Sequence, residues 1–96
     1  MSSEQPGNNE MLAFAKYVRS YLPGRVRVRH PGLVRPALAE QSKRMLEARD
    51  GVRSVEVNLV SGSALISYDS KVLDKDSLIA IGIEWARWLD ASVKGA

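Results

Sequence analysis

Residues Arg25–His30 read Arg-Val-Arg-Val-Arg-His, and this strict alternation constrains the fold more than any other feature of the sequence. Successive side chains of a β-strand point to opposite faces, so Val26 and Val28 are expected in a core. Arg25, Arg27 and Arg29 then share the other face. The segment predicts a sheet with one buried face and one face that carries positive charge.

A hairpin is predicted further along the chain. Val52–Leu59 and Ser63–Tyr68 are rich in alternating apolar residues and are separated by a short turn that contains Ser61-Gly62. The alternation assigns one row of each strand to the core, namely Val55, Val57, Leu59, Ala64, Ile66 and Tyr68. The opposite row is mostly small and polar, as expected for the same charged face.

Three segments have apolar residues at the spacing of an amphipathic helix: residues 9–22, 36–49 and 74–93. Pro23-Gly24 is expected to end the first of them. Residues 1–8 contain Ser, Gly, Pro and Asn and are predicted to be disordered.

The predicted order is therefore α-β-α-β-β-α. It indicates an α+β fold, a ferredoxin-like two-layer sandwich over residues 24–94, with an added N-terminal helix and the last strand missing. The first strand would then be an exposed edge, which the added helix or a second copy of the chain could cover. Candidate interface residues are Phe14, Tyr17, Tyr21 and Trp88, although Trp88 could equally pack on the added helix.

Composition excludes several kinds of site. The chain has no cysteine and a single histidine, His30, which excludes disulfides, iron–sulfur clusters, thiolate zinc sites and cysteine nucleophiles. No glycine-rich phosphate loop, nucleophile elbow or zinc-protease motif is present. The chain is therefore expected not to be an enzyme. It shows neither an export signal nor an apolar run of the roughly 20 residues that span a membrane, so a cytoplasmic location is expected.

The run GVRSVEVNLVSGSALISYD, residues 51–69, together with the helix that follows it, resembles the second half of heavy-metal-associated domains. The resemblance extends over about residues 24–89. In those domains two cysteines in the loop after the first strand hold a soft ion, whereas here that loop is His30–Arg35 and contains no thiol. The segment GRVRVRHPGL is similar to a cysteine-free, arginine-rich branch of these domains, associated with metal-transporting P-type ATPases and with accessory proteins of iron handling.

The resemblance implies a non-enzymatic accessory domain in metal homeostasis, with iron as the expected metal and no other cofactor. The charged face and the following loop would contact an anionic protein partner such as a P-type ATPase, through Arg25, Arg27, Arg29, His30 and Arg35. His30 is the one candidate metal ligand; it could also be a loop histidine that is satisfied by the backbone.

Other interpretations stay open. The arginines could form an ordinary solvated face, or a phosphate- or nucleic-acid-binding surface, and the domain could be a structural dimerisation module. Attachment to a membrane through a partner is also compatible with the sequence.

Overall fold

A four-stranded antiparallel sheet with two helices on one face forms the domain. The computed structural model describes residues 14–95. The strands are β1 (Val18–Leu22), β2 (Arg25–Arg29), β3 (Val52–Asn58) and β4 (Ser63–Tyr68); the helices are α1 (Pro36–Glu47) and α2 (Lys75–Gly95). A short 3-10 helix, Pro31–Val34, follows β2. The strand order is β1-β2-β4-β3, which confirms an α+β, ferredoxin-like sandwich.

One part of the predicted topology is wrong, because Val18–Leu22 is a strand and not the end of a helix. It pairs antiparallel with β2. Pro23-Gly24 forms the hairpin turn between the two strands, with Gly24 at φ +89°, the conformation that glycine adopts most readily. Residues 14–15 are helical as predicted and residues 16–17 form a turn, whereas residues 9–13 of the predicted helix and residues 1–8, predicted to be disordered, lie outside the described residues.

The new strand changes the edge of the sheet. Within residues 14–95 no strand follows the last helix, and β1 lies beside β2 at the position that a C-terminal strand would otherwise occupy. The four strands of a ferredoxin-like sheet are thus all present, one of them supplied from the N-terminal side. The prediction that this strand is an exposed edge is therefore wrong: β2 is a central strand, hydrogen-bonded to β1 on one side and to β4 on the other.

The core follows the predicted alternation. Val26, Val28, Val55 and Ile66 are buried against the two helices. Leu59 is an exception, because β3 ends at Asn58 and Leu59 is exposed in the turn to β4. At the centre of the core lies the buried side chain of Trp85, whose indole N–H donates to Ser42 Oγ at 3.1 Å.

Candidate functional site

The three arginines of β2 lie on the sheet face that the helices leave open. Arg25, Arg27 and Arg29 are exposed, and they alternate with the buried valines. Alternate residues of a strand are about 7 Å apart, a spacing at which each guanidinium can contact a separate phosphate or carboxylate. Within residues 14–94 none of them forms an ion pair with a carboxylate. As far as residues 14–94 are concerned, the open face therefore carries a row of guanidinium groups without a carboxylate partner.

The rest of this face combines small polar side chains with leucines: on the β1 side, Leu22 stands opposite Arg25 and Ser20 opposite Arg27. In the sheet register Arg25 stands opposite Ser67, Arg27 opposite Leu65 and Arg29 opposite Ser63. Glu56 is beyond Leu65 in the same row as Arg27, so two strand spacings, about 10 Å, separate the two backbones. A shallow concavity between β2 and the end of β3 is lined by Arg27, Glu56, Asn58 and Ser63, among others.

Arg29 differs from the other two arginines because it also holds a turn. Its Nε donates to the carbonyl oxygen of Ser61 at 2.9 Å. The bond fixes the guanidinium at the end of the sheet where β2 ends and β4 begins. Arg35 is exposed near the same end, at the N-cap of α1, and its side chain makes no capping hydrogen bond.

His30 lies inside the domain and not on the open face. Only 2% of its surface is exposed. Its Nδ1 accepts a hydrogen bond from the Gly32 backbone N–H at 2.9 Å, so the ring proton is on Nε2, which donates to Asp90 Oδ1 at 2.7 Å. The hydroxyl of Tyr17 donates to the same oxygen at 2.9 Å. With both ring nitrogens engaged, His30 has no free lone pair for a metal and no surface for a partner.

The hydrogen bonds change the acidities of two groups in this cluster. Burial raises the pKa of Asp90, but the hydrogen bonds from His30 and Tyr17 and the nearby positive charge outweigh burial, and the net pKa lies below the usual value for Asp. Burial, followed by the hydrogen bond to Asp90 and its negative charge, raises the pKa of Tyr17. The carboxylate is thus held ionised by the hydrogen bonds that it accepts from His30 and Tyr17.

Comparison with known families gives one match. The family model described as heavy metal associated domain 2 matches residues 12–88, most of the chain. The chain belongs to the heavy metal associated domain 2 family. Searches of curated proteins and of solved structures found no match. The match begins before β1, so the N-terminal edge strand lies within the matched region.

The donor set of this heavy metal associated domain does not fit a soft metal ion. Copper(I) and zinc need thiolates or several imidazoles, and the chain has no cysteine and one histidine, which is fully engaged. Residues 14–95 contain no group of three or more His, Asp or Glu side chains that could hold a metal ion. The loop that follows β2 is instead a 3-10 helix whose N-cap is His30.

Of the four residues predicted to form an interface, two pack inside the domain, one lies at the margin of the core and one is exposed. Phe14 is buried and its ring lies over Gly82 of α2, and Tyr17 is half-buried against His30 with ring centroids 4.5 Å apart. Both thus pack inside the heavy metal associated domain. Trp88 is half-buried at the margin of the core, and Tyr21 is 40% exposed on the edge strand β1.

Sequence reasoning missed Asp90, although one signal was present. A carboxylate near the C-terminal end of a helix is opposed by the helix dipole, so an aspartate there needs a compensating partner.

Within the described residues no helix of the domain is long and apolar enough to cross a bilayer.

Proposed function

We propose that this heavy metal associated domain is a non-enzymatic accessory module of metal homeostasis that docks through Arg25, Arg27 and Arg29 on an anionic surface of a partner protein. The observation that supports it is the exposure of three guanidiniums on one central strand with no carboxylate of residues 14–94 in ion-pair contact. Like charges at this spacing repel one another, so an anionic partner lowers their free energy. Arginine suits the role because its planar fork binds a carboxylate through two hydrogen bonds.

The partner proposed is a metal-transporting P-type ATPase, and the metal is iron. The first rests on the similarity of the GRVRVRHPGL segment to the arginine-rich branch of these domains. The second rests on chemistry: a chain without thiols is better suited to a hard or borderline ion, with the partner supplying carboxylate ligands. The domain would work in the cytoplasm and reach the membrane through the pump.

A binding titration between the full chain and a metal-transporting P-type ATPase from the same organism, purified in detergent, tests docking. The double variant Arg25→Gln/Arg27→Gln is expected to weaken binding at least about tenfold, and wild-type binding should weaken as salt is raised. The matched control is Lys43→Gln/Arg44→Gln, which removes the same charge from exposed positions on α1. Equal binding by both double variants would contradict the proposal.

The metal is tested separately by titrating the isolated chain with iron(II) and with copper(I). Weak binding of both ions is expected, with iron retained only when the partner is present. Tight one-to-one binding of copper(I) by the chain alone would contradict the assignment.

The two rival functions have their own readouts. An oligonucleotide titration that shows a steep salt dependence, lost in Arg25→Gln/Arg27→Gln, would favour a nucleic-acid surface. The open face has no aromatic side chain among the described residues on which a base could stack. Light scattering that shows a dimer insensitive to salt would favour a structural dimerisation module.

A further inference from the structure

A second surface of the domain combines exposed aliphatic side chains with positive charge. Val34, at the end of the 3-10 helix, is 49% exposed; Leu59 and Val60, in the turn between β3 and β4, are 44% and 93% exposed. We call the surface formed by Val34, Leu59, Val60, Arg29 and Arg35 the tip. Large aliphatic side chains exposed together in a soluble domain often mark an interaction site.

The loop and the turn that carry these residues are in direct contact. The backbone N–H of His30 donates to the carbonyl oxygen of Gly62 at 2.9 Å, and a Cβ placed on Gly62 would lie 3.1 Å from Val34 Cγ1. Val34 therefore touches the same turn that carries Leu59 and Val60. The three aliphatic side chains belong to one end of the molecule.

Hydrogen bonds fix the turn in the shape that exposes Val60. Asn58 Oδ1 accepts from the backbone N–H groups of Val60 and Ser61, at 3.0 and 3.2 Å, and Arg29 Nε donates to the Ser61 carbonyl. These hydrogen bonds fix the backbone of the turn, and the fixed backbone keeps the side chain of Val60 in solvent.

The charged side chains within the two segments that build the tip are basic, while Glu56, which lines the same concavity as Leu59, lies just before the second segment. The two segments, residues 28–39 and 57–68, contain Arg29 and Arg35 and no aspartate or glutamate. Asp90, which contacts His30 beside the loop, already accepts hydrogen bonds from His30 and Tyr17. At the opposite end of the sheet Val72 is 59% exposed, and the charges near it in sequence are of both signs: Asp69, Lys71, Asp74 and Lys75.

We propose that the tip binds the surface of an anionic lipid bilayer, with Leu59 and Val60 at the level of the acyl boundary and Arg29 and Arg35 on lipid phosphates. The apolar part of the tip is aliphatic and projects outward, whereas a protein interface is typically anchored by aromatic side chains in pockets of the partner. Aliphatic insertion combined with flanking arginines is the combination that anionic bilayers bind. This inference shares only Arg29 with the proposed docking face and goes beyond the proposed function.

Co-sedimentation of the full chain with vesicles tests the tip. Vesicles of phosphatidylcholine mixed with phosphatidylglycerol are expected to bind the chain, and vesicles of phosphatidylcholine alone to bind it several-fold less. Val60→Asp should reduce the partition coefficient at least about tenfold, because it removes an inserted apolar group and adds repulsion. Val72→Asp, the same change at an exposed valine of the other end, should leave it unchanged. Both positions are solvent-exposed, and circular dichroism verifies that the variants fold.

The inference is overturned if wild type binds neither vesicle, if wild type and Val60→Asp bind equally, or if Val60→Asp and Val72→Asp lose binding equally. Loss of vesicle binding in Arg25→Gln/Arg27→Gln but not in Val60→Asp would assign the lipid contact to the sheet face instead, and also overturn it. Val60→Asp should still bind the ATPase with wild-type affinity. A titration of this variant therefore tests docking separately from lipid binding, and either proposal can fail without the other.

Discussion

His30 Nε2 and Asp90 Oδ1 lie 2.7 Å apart, and this hydrogen bond joins the loop after β2 to the last turns of α2. Tyr17, just before β1, donates to the same oxygen. Three segments far apart in sequence therefore meet at one carboxylate. In the cysteine-containing domains that this chain resembles, the corresponding loop binds a metal ion. In this chain the loop contains His30, which instead forms a hydrogen bond to Asp90 of α2.

Asp90→Asn is expected to lower the free energy of unfolding by about 1–2 kcal/mol. The change replaces a charged acceptor of two hydrogen bonds by a neutral amide, and hydrogen bonds to charged groups are the stronger ones; the partial exposure of Asp90 keeps the loss at the lower end. Urea unfolding measures it. Asp50→Asn, at an exposed carboxylate without such donors, should change stability by less than about 0.5 kcal/mol. Equal effects would show that the cluster does not stabilise the fold.

The same carboxylate predicts an acid-side loss of stability. The pKa of Asp90 is lowered by folding, so its contribution is complete above the unfolded-state pKa of Asp, about 3.9, and is lost as pH falls from there through the lower folded pKa. Unfolding free energies of wild type and Asp90→Asn should thus differ at neutral pH and converge once the pH has fallen below the lowered pKa of folded Asp90. A difference that stays constant over that range would contradict the ionised state of Asp90.

Local patterns were sufficient for much of this fold. The alternation in Arg25–Arg29 predicted both the strand and the exposure of its arginines, and the helical spacing over residues 74–93 predicted α2. Asp74 caps this helix, its Oδ1 accepting from the Ser77 backbone N–H at 2.8 Å. Val18–Leu22 was misassigned because its apolar residues, Val18, Tyr21 and Leu22, fit a helical spacing, while its strand conformation depends on pairing with β2. Asp90 is sixty residues from His30, and no local pattern links the two.

Gly82→Ala should destabilise the domain, although alanine normally stabilises a helix relative to glycine by about 1 kcal/mol. A Cβ at this position would lie only 2.3 Å from the Phe14 ring, so the ring must move out of the core, at a cost of about 1–3 kcal/mol. In a Phe14→Ala background the same substitution should become stabilising. Thermal unfolding of the four chains gives the coupling directly. If Gly82→Ala stabilises both backgrounds, Phe14 does not pack on α2.

Arg29→Gln should cost stability that Arg25→Gln does not. Arg29 donates to the Ser61 carbonyl, and loss of such a bond lowers the free energy of unfolding by about 0.5–1.5 kcal/mol. Arg25 makes no comparable hydrogen bond within residues 14–94, and its removal relieves repulsion along β2, so Arg25→Gln should be neutral or slightly stabilising. Urea unfolding at low and high salt separates the two contributions, since screening weakens the repulsion much more than the hydrogen bond. Identical effects of the two substitutions at both salt concentrations would mean that Arg29 does not brace the turn, and that its role is confined to the charged face it shares with Arg25 and Arg27.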